Sequence, residues 1–194
     1  MELLKQRILT QGRNLGKGIL KVDRFINHQV DPNLMDACGE EFARLFQGTT
    51  AEKILTAEIS GIAPAIMAGK YLNLPVVYAR KSKPITMPSE VYITVAPSHT
   101  KGRSTELIIS PEYLGRDEKI LIIDDFLASG ATIAGLVRLA QTAGAEVVGI
   151  GALIEKTFEG GRDLLSYMGV PIHALVSICN MDNGKIEFTD EYEA

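Results

Sequence analysis

From Lys53 to Ile178 the chain repeats one pattern, a short apolar run followed by an amphipathic stretch with helical spacing. "KILTAEI" leads into "SGIAPAIMAGKYLN" and "PVVYARK" follows; "KILIIDD" leads into "TIAGLVRLAQTAG", "EVVGIGALIEK" into "GGRDLLSYMG", and "PIHALVSI" closes the series. Strands that are apolar almost throughout need cover on both faces, and such alternation builds right-handed strand-helix-strand units. The pattern therefore predicts an α/β fold with a mostly parallel central sheet flanked by helices. Sheets of this kind bind ligands outside the carboxyl ends of their strands, so the residues directly after each strand are where chemistry is expected.

One segment breaks the alternation. "VYITVAPS" and "TELIIS" flank the basic turn "HTKGR", which reads as two antiparallel strands, a flexible arm over about 83–110 projecting from the ligand edge. Ahead of the sheet, Leu3, Leu4, Ile8 and Leu15 fit a short amphipathic helix over 2–15. A second helix is marked by Asp31 as cap, Pro32 in the first position and an apolar face of Leu34, Met35, Cys38, Phe42, Leu45 and Phe46 ending at Gly48. "ILKVDRFINHQ" between them is extended in character. "GIGALI" lacks the last glycine of a dinucleotide fingerprint and reads as plain strand. With no repeat or linker, residues 1–194 are expected to form one domain.

Twenty basic and 24 acidic residues among 194 give a formal charge of −4, so nothing global attracts nucleic acid or an anionic membrane, and any anionic ligand needs a local site. Cys38 and Cys179 are too few and too far apart for a disulfide framework or a metal site and read as reduced thiols. The charged amino terminus and the lack of a long apolar run predict a cytoplasmic protein without a membrane span.

"ILIIDDFLASGAT", residues 120–132, carries the chemistry. A strand expected to end at Asp124 is followed by paired acids and then by Ala128, Ser129, Gly130, Ala131 and Thr132, small enough for backbone amides to turn inward where a helix begins. That is a seat for a phosphate, with Ser129 and Thr132 adding hydroxyl donors. Asp124 and Asp125 then stand where a sugar attached to that phosphate offers hydroxyls, and where carboxylates can stabilise positive charge on the sugar. Read from residues alone, the two acids are also open to a plainer role as caps of the following helix.

The stretch resembles the phosphoribosyl-pyrophosphate signature of the type I phosphoribosyltransferases, with Ala128-Ser129 where many members carry a threonine. The resemblance implies that family's fold, a core over about 50–178 with a hood from about 1–35 and 154–194, along with Mg2+, ribose 5-phosphate transfer to a nitrogenous base, and pyrophosphate release. Catalysis would rest on Asp124 and Asp125, with the metal reached through substrate and water rather than held directly by protein. Pyrophosphate would sit on Ser60 and Gly61 and on Arg80 and Lys81; Lys83, Lys101 and Arg103 are equally open to being solvated surface charge. His99, on the arm, has weak support for a pyrophosphate contact.

Two blocks, "GILKVDRFINHQVDPNLM" and "IEKTFEGGRDLL", resemble the xanthine phosphoribosyltransferases of purine salvage, a likeness that runs over nearly the whole chain. It implies that Leu20, Asn27 and Lys156 contact xanthine, the ammonium favouring oxo groups over the amino group of adenine. Without the resemblance, Asn27 reads as a turn residue and Lys156 as a surface cation paired with Glu155; Phe126 or Leu127 packs on the base or in the core, and His28 reads as structural. A homodimer is expected, with the apolar helix at 32–47 serving interface or core. The alternatives are transfer to hypoxanthine, guanine or adenine, a generic nucleotide-binding module, and a noncatalytic regulator sensing the same sugar phosphate. The regulator would need a basic nucleic-acid face, which this acidic chain does not show.

Overall fold

The structure is a computed structural model that describes residues 1–97 and 104–189. In chain order the elements are α1 (Glu2–Gln11), β1 (Arg13–Asn14), β2 (Leu20–Lys21), α2 (Pro32–Leu45), β3 (Lys53–Ala57), α3 (Ile62–Leu72), β4 (Val76–Ala79), β5 (Tyr92–Pro97), β6 (Ser104–Ile109), β7 (Lys119–Leu127), α4 (Ala131–Ala143), β8 (Glu146–Lys156), α5 (Gly161–Leu165), β9 (Ile172–Asn180) and β10 (Glu187–Phe188). The central sheet has the order β10-β9-β8-β7-β3-β4, parallel except for β10. The carboxyl ends of β3, β4, β7, β8 and β9 therefore open on one edge.

Apolar residues cover both faces of this sheet, as strands without polar alternation require. On one face Leu121, Ile123 and Leu153 pack with Leu4 and Ile8 of α1 and Leu34, Met35, Cys38 and Phe42 of α2. On the other, Ile120, Ile122 and Ile150 pack with Leu136, Val137 and Leu139 of α4, Leu165 of α5 and Leu107 of β6. Each large side chain so buried contributes roughly 1.5–3 kcal/mol against exposure. The apolar face of α2 thus serves the core. Asp31 accepts hydrogen bonds from the Asn33 and Leu34 amides and pairs with Arg7, a cap that also ties α1 to α2.

Three local expectations need correction. The first helix ends at Gln11 rather than 15; Leu15 lies past it, 58% exposed. "ILKVDRFINHQ" is extended only at Leu20–Lys21 and then forms a π-helical turn, Asp23–Asn27. Strand β7 continues past Asp124 to Leu127, because Phe126 and Leu127 still pair with Ile154 and Glu155 of β8. The described part of the arm is an antiparallel pair as expected, in which Leu107 and Ile109 are buried, the Arg138 guanidinium of α4 donates to Thr94 and Val95, and Arg80 bridges to Ile108. His99, Lys101 and Arg103 lie outside the described residues.

Candidate active site

Three of these strand ends enclose a cleft of about 280 Å³. Its wall carries Glu58, Ser60 and Gly61 after β3, Lys81 after β4, and Asp124, Asp125 and Ala128–Thr132 at and after β7; Ala96, Thr105 and Leu107 of the arm complete it. The sequence-predicted phosphate loop, paired acids, Ser60, Gly61 and Lys81 thus meet at one place. The arm is at the ligand edge as expected, although nothing local in the sequence marks Thr105 or Leu107 as the residues that line the cleft.

Two helices begin at this cleft. Gly61 precedes α3 and Gly130, in a left-handed conformation, precedes α4; neither terminus has a side-chain cap. Their first amides lack intrahelical partners, which makes both ends seats for anions. Ser129 Oγ, 3.4 Å from the Ala131 amide, is the local hydroxyl donor and acceptor of the second seat.

The acids are held by the backbone. Asp124 is 4% exposed, and its Oδ1 accepts the Asp125 amide at 3.0 Å; Asp125 Oδ1 accepts the Phe126 amide at 3.1 Å. Burial first, and then the Asp125 charge, push the Asp124 carboxyl well above the ordinary aspartate range. Burial also raises Asp125, while Lys81 favours the charged form of both. Thr56, fully buried, leaves its hydroxyl without a hydrogen-bond partner among the described residues. It faces Asp124 across Gly61, where any Cβ would collide with both Thr56 Oγ1 and Asp124 Oδ1. A cap needs neither a second acid nor such burial.

Glu58 joins the end of β3 to the end of β4. The Glu58–Ile59 peptide is cis, and the Glu58 carboxylate accepts the Lys81 amide at 2.6 Å while standing 2.9 Å from Arg80 Nε. The second contact is an ion pair, because Arg80 Nε lacks aligned hydrogen-bond geometry. Arg80 is therefore engaged behind the cleft wall and Lys81 lines it. The signal for Glu58 was visible as an acid at a strand end, but its partner lies 23 residues away.

The residues expected to contact the base are Leu20, Asn27 and Lys156. Lys156, the last residue of β8, donates to the Gly18 carbonyl at 2.7 Å and to Glu159 at 3.0 Å, and its ammonium stands 5.5 Å from the centre of the Phe126 ring, which lines the cleft. Its acidic partner is Glu159; Glu155 instead binds Arg162. Leu20 is buried in the cluster that Phe126 packs against. Asn27 is exposed at the end of the π-helical turn, and His28 beside it is exposed as well.

The phosphoribosyl transferase domain family matches residues 31–168, which include every element of the cleft. The chain is 49% identical over 188 residues to a xanthine phosphoribosyltransferase of Leuconostoc mesenteroides, covering 97% of this chain and 100% of the relative. It is 46% identical over 191 residues to that of Latilactobacillus sakei, covering 98% of each. Among solved structures, an adenine phosphoribosyltransferase from Thermoanaerobacter pseudethanolicus superposes with a TM-score of 0.74 at 25% identity, over 90% of this chain and 99% of that one. Fold, cleft and full-length relatives agree: the chain belongs to the phosphoribosyltransferase family, on its xanthine phosphoribosyltransferase branch.

Proposed function

We propose that the protein converts xanthine and 5-phosphoribosyl 1-pyrophosphate to xanthosine 5′-monophosphate and pyrophosphate. The observation that carries this reading is the convergence of two uncapped helix termini, the buried Asp124 and the half-buried Asp125 on one cleft. The loop 128–132 holds the 5′-phosphate, Ser60, Gly61 and Lys81 the pyrophosphate, and Asp124 and Asp125 the ribose between them. A purine nitrogen attacks the anomeric carbon as the bond to pyrophosphate breaks, with inversion. The two carboxylates stabilise the positive charge that grows on the sugar, and positioning and electrostatics carry the reaction without a protein nucleophile.

The oxygen donors of the cleft suit Mg2+. Two carboxylates and hydroxyls are hard ligands, and an ion held chiefly by substrate phosphates and water needs few protein groups; Asp124 and Asp125 are the carboxylates that would face its hydration shell. Such an ion offsets charge on the departing pyrophosphate. Arg80, buttressed by Glu58, supports the pyrophosphate loop from behind. Lys156, with two hydrogen bonds already fixed, has one N–H left for an oxo group of xanthine, and Leu20 and Asn27 would complete the base site. No helix among the described residues is long and apolar enough to cross a membrane, and the exposed apolar Ile66, Tyr71 and Tyr78 support a homodimer.

The test is Mg2+-dependent pyrophosphate release with xanthine, guanine, hypoxanthine and adenine offered separately. Xanthine should be fastest. Faster release with another purine would keep the transferase and discard the base assignment; binding of the sugar substrate with no release would favour a regulator. An Asp125→Asn variant should lose turnover with little loss of folding, and full activity in it would remove the role given to the paired acids.

A further inference from the structure

Arg162 does not line the cleft, yet it is wired to the floor of the phosphate loop. The Gly161 amide donates to the Ala128 carbonyl at 2.9 Å. The two backbones are so close that a Cβ on Gly161 would stand 2.6 Å from the Gly130 nitrogen, and one on Gly130 would stand 3.1 Å from Gly161 Cα. Whatever fixes Gly161 therefore fixes Ala128–Gly130.

The next residue supplies the fixing. Arg162 donates from Nε and Nη2 to the two Glu155 oxygens at 2.8 and 2.6 Å, and from Nη1 to the Ile172 carbonyl at 2.8 Å. Glu155 is 2% exposed, also accepts Ser177 Oγ at 3.2 Å, and lies in register with Leu127, the residue before the loop. A buried ion pair is a weak source of stability, since apolar replacements often serve as well, whereas a guanidinium held at three points defines a position closely. We propose that Arg162 is a positioning residue for the 5′-phosphate loop: paired with Glu155, it holds Gly161 beneath Ala128 and Gly130, so that the loop is in its binding geometry before substrate arrives. This rests on the reading of residues 128–132 as the phosphate seat.

The experiment compares wild type with Arg162→Met, Arg162→Lys and Gly161→Ala, measuring KM for 5-phosphoribosyl 1-pyrophosphate and for xanthine separately, the Kd of ribose 5-phosphate, and Tm. Small misplacements of a binding group cost rates and affinities heavily, so Arg162→Met and Gly161→Ala should raise the sugar-phosphate KM and Kd on the order of tenfold while the xanthine KM stays within about twofold. Arg162→Lys, unable to make the bidentate pair, should fall between, and it provides the reading if the other two fail to fold. Sugar-phosphate affinity unchanged in the variants, or an equal rise in both KM values, would overturn the assignment while leaving the transferase intact. A wild type that binds neither sugar phosphate would overturn the functional reading and this assignment with it.

Discussion

Replacing Asp124 by Asn should make the protein more stable and less active. Asp124 is 4% exposed, and the hydrogen bond it accepts from the Asp125 amide is made to Oδ1, an atom that Asn keeps. What Asn removes is a charge held in a buried place beside a second acid, the two causes that raise the Asp124 pKa. A carboxyl whose folded pKa is raised binds its proton more tightly in the native state than in the unfolded chain. Its contribution to stability is fully present below the unfolded value of 3.8 and is lost as pH rises through the folded one. Wild type and variant should therefore have similar Tm near pH 4, with the variant pulling ahead as pH increases. An inadequately paired buried polar group costs about 1–3 kcal/mol, so the variant should gain about 2 kcal/mol at its largest, which for a chain of this size is roughly 4–8 °C in Tm. Turnover should move the other way: removing one preorganised electrostatic group from a reacting centre costs on the order of 100- to 1000-fold in kcat. Thermal melts across pH 4–8 and pyrophosphate release at fixed pH are sufficient assays. A Tm gap that shrinks with rising pH would refute the burial argument, and full turnover would refute the catalytic one.

Two further substitutions test the walls of the cleft. Gly61→Ala puts a methyl into Thr56 Oγ1 and Asp124 Oδ1; overpacking of this kind costs about 1–3 kcal/mol, so Tm should fall, and turnover should fall further than the fraction unfolded explains. Lys156→Met removes the ammonium from the Gly18 carbonyl and Glu159; a hydrogen bond to a charged group contributes about 1.5–3 kcal/mol, so the xanthine KM should rise roughly 10- to 150-fold while the KM for the sugar substrate holds, a split that steady-state kinetics with each substrate varied would show.

The parts of the fold that were legible in the sequence are those whose signal is local. Strands β3, β7 and β8 are runs of apolar residues, α2 announces its start with Asp31-Pro32, and the phosphate loop follows β7 directly. The hood was not legible, because distant contacts hold it. Strands β1 and β2 have two residues each, and the Asn14 side chain that secures them donates to the Met181 and Lys185 carbonyls, 167 and 171 positions away. The π-helical turn packs Phe25 and Ile26 into the core, a demand that overrides the extended character of its β-branched neighbours. The same division runs through the site. Ser60, Gly61, Lys81 and the 124–132 stretch could be found from their place after a strand, whereas the Glu58 link to Lys81 and the closing of the cleft by Thr105 and Leu107 depend on which strand ends become neighbours.

An acidic chain that holds a substrate with three phosphoryl groups carries a net charge of the wrong sign, but in the proposed reading the anion seats are built from parts that net charge does not count. At α3 and α4 the attraction comes from helix termini whose amides are aimed by the fold, with Lys81 the one cation lining the cleft among the described residues. Fixed dipoles of this kind need no side-chain ordering when the ligand arrives, and they do not neutralise nearby acids as a cluster of arginines would. That separation matters here, because the same cleft must keep Asp124 and Asp125 available to the ribose a few ångströms away. A cleft lined with arginine would bind phosphate but would also pair with those carboxylates and compete with the ribose for them. In the proposed reading, backbone seats at the two ends and the acid pair between them let one small cavity present opposite fields to the two ends and the middle of a single substrate.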